Sequence, residues 1–335
     1  AGIHLPKNMR WNASGVAFSR PIRWFVSLLG DTEVQFDYAG IRSGRTTYGP
    51  RAEGSPEIEV ADAGAFAGLM EAHQVIMDRT RRREEIVRQI TALAAEVGGA
   101  IPEDPALLDE VTDLVEQPTA LRGAFEPAHL RLPKEVLITV MRKHQRYFPV
   151  VDGAGELMPY FVAVRNGPTA YLDVVQAGNE GVLRARYADA DYFFRADRSH
   201  KLEEFTQRLA TLTFQVKLGS MLDKVHRVEQ LVPTLAPMMG LSDDELKTAR
   251  RAASLFKSDL ATQMVVELTS LQGVMGREYA MLSGEDPAVA TAIFEHYLPR
   301  YQGDRLPSSG AGLLVGLANR LDSLVGLFAV GLAPT

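Results

Sequence analysis

The chain has 335 residues, no cysteine, 46% hydrophobic residues and a formal net charge of −6. That is the composition of a globular protein with room for two or three domains, and the missing thiols exclude disulfides, thiolate zinc sites, iron–sulfur clusters and cysteine nucleophiles. The acidic balance excludes a surface that binds nucleic acid everywhere, so any RNA contact must come from local Lys/Arg clusters.

No apolar run reaches the ~18 residues of a membrane span; Leu324 to Leu332 is the longest candidate. The start, Ala1 to Lys7, has no apolar h-region and so is no signal peptide. No Met opens the chain, and Pro334-Thr335 breaks off after an apolar helical stretch. Both ends read as cuts in a longer protein.

In chain order, Val16 to Phe18 and Ile22 to Leu29 are rich in β-branched and aromatic residues and stop at Gly30-Asp31, a turn signal. Val34 to Tyr38 is expected to return as the second arm of a hairpin. Residues 61–99 read as helix, with Ile86, Ile90, Leu93 and Val97 on one side and Gly98-Gly99 as the stop. Asp104 and Pro105 open a short helix as N-cap and first turn. Thr119 to Phe125 predicts a strand. Leu132 to Gln145 predicts a helix opened by Pro133, followed by a strand at Tyr147 to Val151, a turn at Asp152-Gly153 and a strand at Tyr160 to Val164. Gly178-Asn179 is expected to cap a helix whose Leu183, Tyr187, Ala190 and Phe194 share a face. From there on only helical patterns follow, punctuated by Pro233, Gly240, Gly284, Gly303 and Pro307. The fold class is α+β, a mixed module over 1–200 and an all-helical module over 201–335, with the boundary between 170 and 215.

Known chemical motifs are missing. There is no phosphate-binding Gly-rich loop, no Gly-x-Ser-x-Gly, no His-Glu-x-x-His and no class II synthetase signature. No catalytic residue is assigned. Gly273-Val274-Met275-Gly276 reads as a packing site, where small residues admit a neighbouring backbone. In the helical module, His226, the Ala252 to Leu260 segment and Leu317 to Asp322 follow the order of the HD phosphohydrolase superfamily. The register that fits places its His-Asp pair on Phe256 and Lys257 and its late Asp on Asn319. Phe offers no lone pair and Lys repels a dication, so only His226 of the four survives and no metal is expected. A shifted register would instead recruit Asp259 and Asp322 as oxygen ligands.

Basic clusters are the stronger signal. Lys7, Arg10, Arg20 and Arg23 surround Trp11, Phe18 and Trp24; Arg142, Lys143 and Arg146 end a helix beside Tyr147 and Phe148; Arg184 and Arg186 mark another with Arg195 and Arg198. Arginine beside exposed aromatics grips phosphates and stacks on unpaired bases. The plainer readings are cations at helix C-termini, such as His144, and intrahelical pairs of Arg186 with Asp189 and Asp191 with Arg195. The Arg79 to Arg83 run, next to Glu84 and Glu85, is expected to be a solvated face.

Several segments together resemble the β subunit of bacterial two-subunit glycyl-tRNA synthetase. They are Leu5 to Trp11 with Phe18 to Trp24, Leu132 to Leu137 through His144 to Phe148, Gly178 to Arg186 ending in Asp189 to Phe194, Lys257 to Leu260 through Leu271 to Gly276, Glu295 to Arg300, and Leu317 to Asp322. The chain departs from the family's Gly-His-Arg-Phe at Gly49-Pro50-Arg51-Ala52, and Asn319 stands where the family often has Asp. The resemblance implies a first module similar to the B3/B4-type domain of the phenylalanyl enzyme's β subunit and an HD-like second module. It implies a tRNA-binding accessory subunit that lacks, in this piece, the C-terminal anticodon-binding-like domain. The partners implied are glycine tRNA and a class II α subunit, which would hold the ATP and Mg in a cytoplasmic α2β2 enzyme; no cofactor is implied on this chain. An active HD phosphohydrolase, an aminoacyl-tRNA editing module and a dimerisation module are the competing readings.

Overall fold

A computed structural model describes residues 3–332. The fold is mixed α/β, dominated by helices, with its strands in small sheets. The chain forms two compact units, one of residues 1–124 and 146–180, the other of residues 125–145 and 181–335.

In the first unit the largest sheet is antiparallel. Leu157–Asn166 is its central strand, flanked by Pro118–Ala124 and Phe148–Val151. Asp152 makes the turn, its carboxylate accepting from the amides of Ala154 and Glu156, both at 2.9 Å. Two helices cover the sheet. Arg79–Ala95 is opened by the Asp78 cap, and Pro105–Leu114 by Asp104, whose carboxylate accepts from Leu107 N at 3.0 Å. Ile86, Ile90, Leu107, Val111, Phe148, Val150 and Val162 close into one core, so the helical period read from the sequence does face the sheet.

The Arg79 to Arg83 run is solvated only in part. Arg79 binds Asp113 (2.7 Å), Arg83 approaches Asp109 (3.3 Å), Arg81 reaches Glu71, and Arg82 donates to the Thr112 and Ile76 carbonyls. Neighbours in sequence, Glu84 and Glu85, suggest local pairing; the partners that compete better are brought in by the fold.

The N-terminal ribbons also differ from expectation. The turn at Gly30 (φ 58°) joins only Leu28–Leu29 to Thr32–Glu33. Asp37–Tyr38 pairs forward with Ile41–Gly44, and Phe25–Val26 lies parallel to that same strand. A two-residue turn fixes register for its own arms but says nothing of where the chain goes next.

In the second unit, Lys134–Thr139 is α-helical and continues as one wider π turn over Val140–Gln145, a change that apolar spacing does not record. The Leu172–Arg198 helix runs straight through Gly178 and Asn179, so these do not cap it. Residues 181–198 belong to the helical unit because Tyr187 is buried there, edge-on to Phe125 at 5.1 Å and donating to the Leu137 carbonyl at 3.2 Å. The sequence division at 200 assigns these residues, and 125–145, to the first module.

Five further helices, Met221–Met239, Asp243–Leu255, Val274–Leu282, Pro287–Glu295 and Gly310–Ala329, pack together around Val228, Ala252, Met275, Ile293 and Leu314. Capping boxes at Ser220/Asp223 and Ser242/Glu245 open two of them. Pro233 does not stop its helix; buried Val232 and Ala236 on either side of it hold the helix through Pro237 to the Gly240 cap. A short ribbon, Thr213–Gln215 with Gly219–Ser220, interrupts the helical pattern. Gly310–Ala329 is long and apolar enough to cross a membrane by length and composition. One face of it, with Leu314, Val315, Ala318 and Asp322, is buried against its neighbours, while Leu313, Leu324, Val325 and Phe328 are exposed.

Gly123 is set by packing. The Phe161 ring, stacked on Tyr147 with centroids 4.7 Å apart, lies across it, and a Cβ there would run into the ring. Gly123→Ala is expected to cost about 1–3 kcal/mol and to lower the melting temperature by several degrees. Gly153→Ala, with nothing within 4 Å of its added carbon, is the control and stays near wild type; equal melting temperatures for the two variants would reject this account.

Candidate functional site

The predicted cations fall into separate places. In the first unit Lys7, Arg10, Arg20 and Arg23 are all exposed. Arg10 donates to the Gly15 carbonyl at 3.2 Å, and the Trp11 indole N–H to the Phe18 carbonyl at 2.9 Å, which holds the first ribbon's turn. Arg146, of the same unit, binds Glu110 at 2.9 Å. Arg142 and Lys143 belong to the helical unit, on the π turn that ends at Gln145, so the second predicted cluster is divided between units.

Also in the helical unit, Arg184 and Arg186 are exposed on the Leu172–Arg198 helix, Arg184 only 4.0 Å from Glu126. Arg195 and Arg131 both bind the buried Asp191 carboxylate, at 3.0 and 2.9 Å, and Arg198 lies over the Phe194 ring. The predicted Asp191–Arg195 pair therefore forms, and these two arginines are committed to the fold in a way that Arg186 is not.

The first unit also has a cleft of about 920 Å³ whose lining includes Arg23, Trp24, Tyr48 and Arg51. Sequence reading found Arg23 and Trp24. It missed Tyr48 and Arg51, for which the only signal was the departure at Gly49 to Ala52.

Of the positions read as HD-like, Phe256, Lys257 and the Asn319 side-chain oxygen are buried, and His226 is not. Phe256 is fully buried, edge-on to His296 at 4.9 Å. Lys257, 7% exposed, holds its ammonium 3.8 Å from the Tyr297 ring centre. His226 is exposed; the buried cation of its helix is Lys224, bonded to Asp322 (2.8 Å), Ser323 (2.8 Å) and the Asn319 carbonyl (3.3 Å). Asp259 is fully buried, and one of its oxygens accepts from the amides of Gly273 (2.5 Å) and Gly276 (3.1 Å). Those glycines do pack closely, but against side chains rather than the neighbouring backbone expected, since a Cβ on either would strike Tyr297 or Ile293. The second Asp259 oxygen, His296 Nε2, the Tyr297 hydroxyl and Asn319 Oδ1 are buried without a hydrogen-bond partner in the protein.

A divalent metal does not fit these residues. Phe256 has no donor atom and Lys257 brings a positive charge. In the shifted register, Asp322 is already held by Lys224 and Arg227, and Asp259 by two amides. Among the described residues, no three His, Asp or Glu side chains are grouped to hold a metal ion.

The model of the family described as "Glycyl-tRNA synthetase beta subunit" matches residues 1–335. The chain belongs to the glycyl-tRNA synthetase β-subunit family. A protein named glycine--tRNA ligase beta subunit from Halothermothrix orenii is 47% identical over 333 residues, 99% of this chain and 48% of the relative. Those of Desulforamulus reducens (46% over 335 residues) and Clostridioides difficile (47% over 333) are matched across 100% and 99% of this chain, and 48% of each relative. The chain thus spans about half the length of the curated relatives it matches.

In this member of the family the polar cluster has a defined pH behaviour. Burial lowers the His296 pKa well below its ordinary 6.5, and nearby Lys257, Arg320 and Lys224 add to this; the bond to the Ile293 carbonyl opposes it. That carbonyl, 2.5 Å from Nδ1, requires the proton there, which leaves Nε2 as a bare lone pair. The unfolded chain takes up a proton below about 6.5 that the folded chain refuses, so stability is full above that pH and falls as pH falls, by at most about 1.4 kcal/mol per pH unit. Burial raises Asp259, against the Gly273 and Gly276 amides and Lys257, and this acts oppositely: acidification below its raised pKa favours the fold. Lys257 is lowered by burial. Melting temperatures from about pH 7 to about pH 5.5 are expected to fall in the wild type and to fall less in His296→Gln. Equal slopes would reject this role for His296.

Proposed function

We propose that this chain is the tRNA-handling part of a glycyl-tRNA synthetase β subunit. On this reading it binds and places glycine tRNA for a separate class II α subunit, which makes glycyl-adenylate and pyrophosphate from glycine and ATP and then passes the glycine to the tRNA with release of AMP. ATP and Mg belong to that subunit, this chain holds no cofactor and no active site of its own, and the cytoplasmic enzyme is α2β2. The first unit plays the part of a B3/B4-type domain and the second that of an HD-like scaffold reused for binding.

Family membership across the whole chain supports the reading. The observation that carries it further is that Lys7, Arg20, Arg23, Lys143, Arg184 and Arg186 stand exposed on a protein of net charge −6. Local cation groups on an acidic body attract a polyanion to defined places. The competing phosphohydrolase reading is disfavoured, because a buried ammonium stands among the groups that would have to ligate the metal.

The test is a titration of glycine tRNA against the chain, with and without the α subunit, at low and at physiological salt. Binding is expected to weaken with salt, because phosphate binding releases counterions, and to strengthen with α. Arg184→Ala/Arg186→Ala is expected to reduce the salt slope by about one for each phosphate no longer neutralised. A stable complex with α but no tRNA binding would replace this reading with a scaffold role, and no interaction with either would overturn it.

A further inference from the structure

The cleft of the first unit combines aromatic surface, two rings set edge to face at 63°, with cations. Trp24 and Tyr48 meet at 4.8 Å between ring centres and are each 39% exposed. The Trp24 indole N–H points to Thr47 Oγ1 at 3.3 Å, which sets the plane of the ring. The Arg23 guanidinium lies 5.9 Å from the Trp24 ring centre. Arg51 stands exposed at the start of a short turn, Arg51–Glu53, on the other side of Tyr48 in sequence. Phe66, Met70 and Met77 complete the lining with apolar surface. At about 920 Å³ the cleft lies within the size range of ligand pockets, about 300–1,000 Å³.

Each class of occupant meets this lining differently. An apolar peptide would cover the aromatics and leave two guanidinium groups desolvated. A bare phosphate would bind Arg23 and Arg51 and ignore the rings. A duplex keeps its bases stacked on each other and offers no face to Trp24. An unpaired nucleotide supplies both parts at once, a π face for the rings and anionic oxygens for the arginines. Glu116, the one carboxylate among the lining residues, adds an acceptor for an exocyclic amino group, which adenine, cytosine and guanine carry and uracil does not.

We infer that this cleft binds an unpaired nucleotide of an RNA strand, with the base stacked on one ring of the Trp24–Tyr48 pair and edged by the other, and the flanking phosphates on Arg23 and Arg51. The inference rests on the tRNA-handling reading and names one place where that handling occurs.

The chain has two tryptophans, so Trp11→Phe leaves Trp24 as the sole reporter. The probes are a short single-stranded oligoadenylate, a matching RNA duplex, AMP and whole glycine tRNA. Oligoadenylate is expected to quench Trp24 and to bind about tenfold more weakly to Arg51→Ala, a surface change that leaves the melting temperature intact. By anisotropy of an end-labelled oligoadenylate, Trp24→Phe, which keeps a ring, binds better than Trp24→Ala, and labelled oligouridylate binds the unsubstituted chain less well than oligoadenylate does. The duplex leaves Trp24 unquenched. AMP binding as tightly as the oligomer would overturn the inference in favour of a free-nucleotide site. Glycine tRNA binding with Trp24 unquenched and Arg51→Ala unaffected would overturn it while leaving the tRNA-handling reading in place. Binding of no RNA by any version of the chain would remove both.

Discussion

The helical unit depends on starting helices inside the protein. The first amides of a helix have no partner of their own, and burying them bare costs about 1–3 kcal/mol each. Three buried carboxylates meet this need. Asp197 accepts from the amides of Gln263 (2.9 Å) and Met264 (3.0 Å), and from the Tyr279 hydroxyl. Asp259 accepts from Gly273 and Gly276 at the start of Val274–Leu282. Glu295 takes the amides and hydroxyls of Ser308 and Ser309 at the head of Gly310–Ala329. Each anion also sits at the positive end of a helix dipole. For Glu295, burial raises the pKa, but the four bonds outweigh it and hold the carboxyl below its ordinary value.

The same logic sorts the arginines. An acidic chain has carboxylates to spare, and the fold commits many cations to them. Arg79 and Arg83 fasten one helix of the first unit to the next through Asp113 and Asp109, and Arg251 joins Glu203 to Glu285. Arg227 shares Asp322 with Lys224. A binding surface has to be drawn from what is left. This places the emphasis on Arg23, Arg51 and Arg186, which are exposed, rather than on the densest run of arginines in the sequence.

Local features were legible. The Asp104 cap, the Asp152 turn, the Ile86/Ile90 stripe and the Leu183/Tyr187/Ala190/Phe194 face all depend on residues within a few positions of each other. Features set by distant partners were not. Nothing near Pro233 announces that its helix survives, because Val232 and Ala236 hold it from the core. Nothing near Gly178 announces a helix already under way from Leu172. In the site, residue type exposed Phe256 and Lys257 as poor metal ligands. It could not show that His226 faces solvent, that Lys224 takes the inward position, or that His296 joins the cluster from a helix some 40 residues later in the chain.

The polar cluster has an order of causes. Val274–Leu282 begins in the core, so its amides need an acceptor, and Asp259 supplies it. A carboxylate buried there raises its own pKa and would protonate without a nearby positive charge. Lys257 supplies that charge at the cost of its own desolvation, which the Tyr297 face only partly relieves. Buried opposite charges are weak sources of stability, since apolar substitutes of the same shape are often as stable. Asp259 is therefore better explained by geometry than by energy, because it fixes where the helix starts. Once Lys257 is in place the cluster already carries its compensating cation, and a dication would be repelled from the same oxygens. On this argument the scaffold's unsuitability for metal follows from how one helix begins, and not from the identity of any single missing ligand.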